Sequence, residues 1–249
     1  MNTTTLEATP TATDRVGSIA WKDQSGASHQ HIADSGILDK ELYRAARSRK
    51  GSNYRGRRNY NGFHWFAGTN DSVWYESLME RSALLLLDFA NDIVSIATQP
   101  MLMRFPDGTR HFPDFIAKHA DGRQVVYNVK PAAHINDKVR VQFANTAAMC
   151  AAVGWTHEVI SLFDPVTTGN IEWVGNFRQD HFAPTAAQRI DFLSALHSPQ
   201  PLRVAAELIG NAAWDARIAA VYHLAWQGDI TLDLTTPLSN NSLVRRATS

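Results

Sequence analysis

The sequence predicts an α/β protein, an αβββαβ core followed by a mainly helical C-terminal domain. Three observations carry this. Short apolar segments flank Pro106-Asp107-Gly108 and Asp121-Gly122, as strands flank turns. Two longer stretches, 72–89 and 136–153, combine strong helix formers with an apolar stripe. Beyond Asp164-Pro165 the pattern shifts to short amphipathic helices and a closing pair of strands.

Taken in order, residues 1–15 are Thr-rich and poor in large apolar groups, so a disordered tail is expected. From Val16 to His31 the loose alternation of polarity marks a short strand or an extended arm. A basic segment follows, with Arg44, Arg47, Arg49, Lys50, Arg55, Arg57 and Arg58 and no acid among them. Its Gly and Asn content (GSNYRGRRNYNG) predicts a loop, and Tyr43, Tyr54 and Tyr60 interleave its cations. Residues 72–89 (SVWYESLMERSALLLLDF) predict a helix, on which Glu76 and Glu80 share a face. Ile93–Ile96 is a strand or extended exit that stops at Gln99-Pro100. Strands are expected over 101–105, 111–117 and 124–130. A helix over 136–153 starts near Asp137 and ends before Gly154, and a strand follows over 157–163. This order is that of restriction-endonuclease-like enzymes. In the C-terminal part, helices over 184–199, 200–210 and 212–226 precede strands at Ile230–Leu234 and Ser242–Val244. That sequence of elements predicts a winged-helix-like domain, suited to DNA or to a protein partner. The expected domains are 16–166 for the nuclease-like core and 167–249 for the winged-helix-like part.

Composition narrows the function classes. A chain of 249 residues with 44% apolar content can build a sizeable core. Net charge is zero, but without the seven basic residues of 44–58 the remainder stands at a formal −7. A cationic block on a mildly acidic protein suits a polyanion such as DNA. The single cysteine, Cys150, excludes an internal disulfide and a Cys-rich zinc site. No apolar run reaches the roughly 18 residues of a membrane span, and the N-terminus lacks the features of a signal peptide. A cytoplasmic, nucleoid-associated protein is expected.

The chemistry concentrates in HFPDFIA and VVYNVKP, the two arms around Asp121-Gly122. On a strand Asn128 and Lys130 point the same way, and Asp114 meets them if the arms pair. A carboxylate, an amide oxygen and a cation then converge, the set a metal-dependent phosphodiesterase uses to hold a divalent ion and offset charge on phosphate. Spacing leaves Glu76 and Glu80 both open as a further ligand. His111, three residues before Asp114, is expected on the opposite strand face. His134 is a candidate for contact with a DNA backbone. His29 and His31 are expected at the surface.

An ordered set of stretches resembles the TnsA endonuclease subunit of heteromeric bacterial transposases: SLMERSALLLLDF…IVSIATQP, HFPDF, YNVKPAAH, NIEWV and LAWQGDITLDLTTPLSNNSLVR. The resemblance covers most of residues 70–245. It implies a restriction-endonuclease-like domain joined to a winged-helix-like one, and cleavage of the 5′ strands at transposon ends. It also implies a separate transposase with an RNase H-like fold that cuts the 3′ strands, and an ATP-dependent regulator on another chain. The family's helix carboxylate falls on Glu80 rather than Glu76, its metal-binding aspartate on Asp114 and its lysine on Lys130. Two residues before that lysine the family carries Gln, Asp or Glu, and this chain has Asn128, which is uncharged and one methylene shorter than Gln. Expected ligands for Mg²⁺, for which Mn²⁺ should substitute, are Glu80, Asp114, the Asn128 oxygen and the Val129 carbonyl. Two other classes fit the same residues: a stand-alone restriction or repair endonuclease, and a non-catalytic DNA-binding assembly subunit.

Overall fold

The alternation that begins at Ser18 produces a hairpin. Strand β1 (Ser18–Lys22) turns through Asp23, whose side chain accepts the N–H groups of Ser25 and Ala27, into β2 (Ser28–Ile32). The structure is a computed structural model that describes residues 17–49, 60–161, 164–210 and 212–247. It divides into two compact units. The first holds the described residues up to Phe63, Val73–Glu80 and Ile93–Ser161; the second holds His64–Ser72, Arg81–Asp92 and the described residues from 164 onward.

The stretch 72–89 is not one helix. Strands β3 (Gly62–Phe66) and β4 (Asp71–Tyr75) form a two-stranded sheet, and α1 runs only from Leu78 to Phe89. Val73, Trp74 and Tyr75 are β-formers that the helical apolar count absorbed. The break is chemical: the Ser77 hydroxyl accepts the Glu80 N–H at 3.2 Å, while Glu80 Oε2 accepts the Glu76 N–H at 2.8 Å. This is a close variant of the capping box. Glu76 therefore lies ahead of the helix and shares no helix face with Glu80.

The first unit contains two sheets. In one, β1 pairs with β6 (Met101–Arg104) and β6 with β7 (Arg110–His111), giving the order β2-β1-β6-β7. In the other, β5 (Ile93–Thr98) and β9 (Gln124–Val129) flank β8 (Phe115–His119) antiparallel, and β10 (Thr156–Ile160) lies parallel to β9. The expected strand over 111–117 is thus split between two sheets. Pro113 has no N–H to extend a ladder, so the chain leaves one sheet at His111 and enters the other at Phe115. Helix α2 (Asp137–Val153) connects β9 to β10, as its spacing predicts; Asn136 caps it through the Val139 N–H and Gly154, at φ 97°, ends it. The core of this unit joins Ile19, Met101 and Met103 from one sheet, Ile116 and Val126 from the other, and Met149, Cys150 and Val153 from α2.

In the second unit Asp164 caps a helix the sequence reading did not foresee, α3 (Pro165–Gly175), with Pro165 in the first turn where its missing N–H costs nothing. There follow α4 (Ala186–Ala195), β11 (Gln200–Pro201), α5 (Leu202–Glu207), α6 (Trp214–Trp226), β12 (Ile230–Leu232) and β13 (Leu243–Arg246). The helix expected over 200–210 is shorter because Gln200 and Pro201 pair with β13. The sheet order is β11-β13-β12. Every residue of α6 from Ala219 to Trp226 is buried. Tyr222 stacks on Phe177 at 5.1 Å, Trp226 meets Phe89 edge-on at 5.4 Å, and His223 Nδ1 lies 2.9 Å from the Phe177 carbonyl. A helix segment buried on all sides is core, whereas Trp214, Asp215 and Ala216 at the start of α6 are exposed. Among the described residues no helix is long and apolar enough to cross a membrane.

Candidate active site

Asp114 occupies the bend between β7 and β8, and its backbone is held from both sides. Its N–H donates to the Tyr127 carbonyl at 3.1 Å and its carbonyl accepts the Gln99 N–H at 2.8 Å. Gln99 itself adopts φ 42°, a left-handed conformation uncommon outside glycine, and its buried Oε1 has no hydrogen-bond partner among the described residues. The Asp114 carboxylate accepts the Val129 N–H at 2.7 Å, and the Asn128 amide approaches the same oxygen at 3.5 Å. The pairing of β8 with β9 thus brings Asp114 to Asn128 and Val129, as the two arms around Asp121-Gly122 predict.

Burial, and then the like charge of Glu80, push Asp114 up to about 7, against the lowering effects of the Val129 N–H, Asn128 and Lys130. Glu80 is raised as well, by burial first. Its two oxygens already accept the Glu76 N–H and the Ser77 hydroxyl, the latter at 3.0 Å. The helix carboxylate therefore has a structural task in addition to any at the site. For Glu76 the sequence allows a solvated acid or an ion-pair partner of the basic segment; it is 5% exposed and pairs with Arg49 of that segment at 3.6 Å.

Lys130 follows β9, its N–H donating to the Ile160 carbonyl at 3.0 Å. With Asp114, Asn128 and Val129 it lines a cavity of about 430 Å³, together with Arg49, Arg110, His111, Phe112, Val139, Gln142 and Phe143. Three cations thus surround a carboxylate floor.

His111 belongs to the site, contrary to the strand-parity expectation. Parity fails because residues 112–114 are not strand. Its Nε2 lies 2.8 Å from the Asn128 amide nitrogen, and the Gln142 amide meets its Nδ1. Burial pushes His111 down to about 4. On the far side of Asn128, His157 Nε2 lies 2.9 Å from Oδ1, and burial lowers His157 also. Gln142 and His157 were missed because they sit on α2 and β10, and no local motif links them to Asp114. Asn128, 2% exposed, is a hydrogen-bonded member of a polar line rather than a free oxygen.

Of the expected DNA-binding residues, Arg44 pairs with Glu41 at 3.3 Å and Arg47 lies over the Trp74 ring at 4.7 Å. Arg49 reaches the cavity. Lys50, Arg55, Arg57 and Arg58 lie outside the described residues, as does Tyr54. Tyr43 is buried, with its hydroxyl donating to Glu41 at 3.0 Å, so it offers no face to a nucleobase.

Asp114 and Glu80 are the carboxylates that a hard divalent cation would use here, since Mg²⁺ needs only one or two when waters and phosphate oxygens complete its shell. Among the described residues no group of three or more His, Cys, Asp or Glu side chains is placed to hold a metal ion. No family model matches the chain, and no curated protein matches it.

Proposed function

We propose that this chain is a Mg²⁺-dependent DNA endonuclease that cuts the 5′ strands at transposon ends, beside a separate transposase that cuts the 3′ strands and under an ATP-dependent regulator. The observation that carries the nuclease reading is the cavity that gathers Asp114, Asn128 and Lys130 with Arg49 and Arg110, where burial first, and then the like charge of Glu80, push Asp114 up to about 7. The chain order α1-β5-β8-β9-α2-β10, with the β6–β7 hairpin inserted, supports a restriction-endonuclease-like fold, though α1 beyond Glu80 belongs to the second unit. The order α4-β11-α5-α6-β12-β13 with sheet β11-β13-β12 supports a winged-helix-like second part. Its third helix, α6, is buried from Ala219 to Trp226 and exposed at Trp214, Asp215 and Ala216, so burial does not choose between a DNA and a protein partner for that part. The transposon-end assignment rests on the resemblance of the ordered stretches.

Asp114 and Glu80 would hold the ion, with water and phosphate oxygens filling the remaining positions. When bound, Mg²⁺ supplies a water of lowered pKa and polarises the phosphate. The Val129 N–H orients the Asp114 carboxylate. Lys130 offsets charge on the phosphate as it develops, and Arg49 and Arg110 draw the DNA backbone to the cavity mouth.

A second reading has its own observation. Asn128 Oδ1 faces His157 rather than Asp114, which favours an assembly subunit with weakened cation binding. Strand-resolved cleavage separates them: protein, its neighbouring transposase, Mg²⁺ and labelled transposon-end DNA, with Asp114→Ala as control. Nicks on the 5′ strand that need both proteins and vanish in the variant support the proposal. DNA binding with no 5′-strand nick supports the assembly subunit. Cuts on both strands by this protein alone point to a stand-alone nuclease.

A further inference from the structure

Two aromatic rings beside the basic segment have no part in the chemistry above. Tyr60 is 71% exposed and Phe63, at the start of β3, is 67% exposed. Phe63 is nevertheless held in place. The half-buried Trp74 of β4 meets it at a steep angle, with ring centres 5.0 Å apart and planes at 72°. Arg47 in turn lies over the Trp74 ring at 4.7 Å. We infer that Phe63 and Tyr60 form a stacking platform for unpaired nucleotides of the DNA strand whose phosphate enters the cavity at Arg49; this rests on reading the chain as a DNA endonuclease.

Two links tie the platform to the cavity, all within the first unit. Arg47 reaches Trp74, and Arg49, two residues on, reaches Glu76, two residues beyond Trp74. Between the two arginines Ser48 is fixed. Its N–H donates to the Gln99 carbonyl at 2.9 Å and its hydroxyl to the Pro100 carbonyl at 2.8 Å. Arg49 lines the cavity that holds Asp114. Two residues of chain span at most about 7 Å, which is about the rise of two nucleotides along one strand. A phosphate drawn in by Arg49 therefore leaves a neighbouring nucleotide within reach of Phe63.

The chemistry selects the occupant. Bases inside a duplex stack on one another, so an open ring on the protein takes only a base that has left the stack. Such stacking tolerates any sequence, because every base has a π-face. Arg47 is exposed and supplies a charge for the phosphate beside that base. Residues 44–58 carry seven cations and no acid, which suits a polyanionic strand. Trp74 is the anchor rather than a platform ring, since Arg47 covers one of its faces. The protein should therefore prefer DNA opened beside the cut to a continuous duplex.

The test measures binding rather than cutting. Full-length protein in EDTA is titrated with two fluorescein-labelled DNAs of transposon-end sequence. One is a continuous duplex; the other has a short mismatched tract across the end junction, with 2-aminopurine in the tract. The mismatched DNA should bind about tenfold tighter or more, and its 2-aminopurine fluorescence should fall on binding. Phe63→Ala and Tyr60→Ala should each reduce that preference, with the affinity for continuous duplex and the melting temperature unchanged; Phe63→Tyr should keep it. The fluorescence of the wild-type complex reads stacking even where a variant fails to fold. Equal affinity for the two DNAs, or a preference that survives both alanine variants, overturns the inference and leaves the endonuclease reading standing. Equal affinities together with loss of transposase binding in Phe63→Ala overturn it in favour of a protein-facing surface. Binding of neither DNA overturns both readings.

Discussion

The carboxylate of Asp114 accepts the backbone N–H of Val129 at 2.7 Å. That bond aims a side chain from the bend after β7 at the exit of β9, beside Lys130. It also lies in a buried setting where Glu80 supplies repulsion, so the same residue is oriented by one neighbour and strained electrostatically by another.

Stability should therefore depend on pH in an unusual direction. Asp114 rises from 3.8 to about 7 on folding, so the folded state binds the proton more tightly. Its contribution to stability is lost as pH climbs through that window and levels off above it, by up to about 4 kcal/mol. Asp114→Asn should flatten this slope and raise the melting temperature at neutral pH without cation, while abolishing cutting. A variant no more stable than wild type at pH 8 would contradict the burial argument.

In this reading Glu80 has two separable tasks. Glu80→Gln keeps an N3 acceptor for the Glu76 N–H and should lose cation affinity with little change in stability. Glu80→Ala should lose both, with about 1 kcal/mol of stability lost through the cap. Chemical denaturation set beside Mn²⁺ titration distinguishes them.

Asn128→Ala leaves His111 and His157 each short of a buried partner and should cost about 2–4 kcal/mol. Asn128→Asp supplies a third carboxylate and should tighten Mn²⁺ binding. Weaker binding in the aspartate variant would show that the amide, not charge, is what the site needs.

Arg49 contacts DNA in this reading, so Arg49→Ala should weaken binding uniformly across sequences. The slope of log affinity against log salt should drop by about 0.9. An unchanged slope would return Arg49 to a purely structural partner of Glu76.

In the second unit the Asn170 amide donates to the Leu234 and Thr236 carbonyls at 2.8 and 2.7 Å and accepts the Leu238 N–H at 3.3 Å. Asn170→Ala should lose about 2–3 kcal/mol and open residues 233–242 to limited proteolysis.

Much was legible from sequence because it depends on local chemistry. The α/β class, α2 between Asp137 and Gly154, the β8–β9 hairpin about Asp121-Gly122 and the approach of Asp114 to Asn128 follow from periodicity and turn residues. Other features were decided only by tertiary structure. Residues 72–75 form a strand because their aromatics pair with β3, which a helical count of apolar positions cannot register. His111 enters the site because Pro113 breaks the strand and cancels the parity that would have turned it away. Gln142 reaches His111, and His157 reaches Asn128, only once α2 and β10 fold back along β9. Sequence by itself determined that Asp114 meets Asn128 and Val129; packing decided that His111, Gln142 and His157 join them, because a hydrogen-bonded line spanning several elements has no local signature.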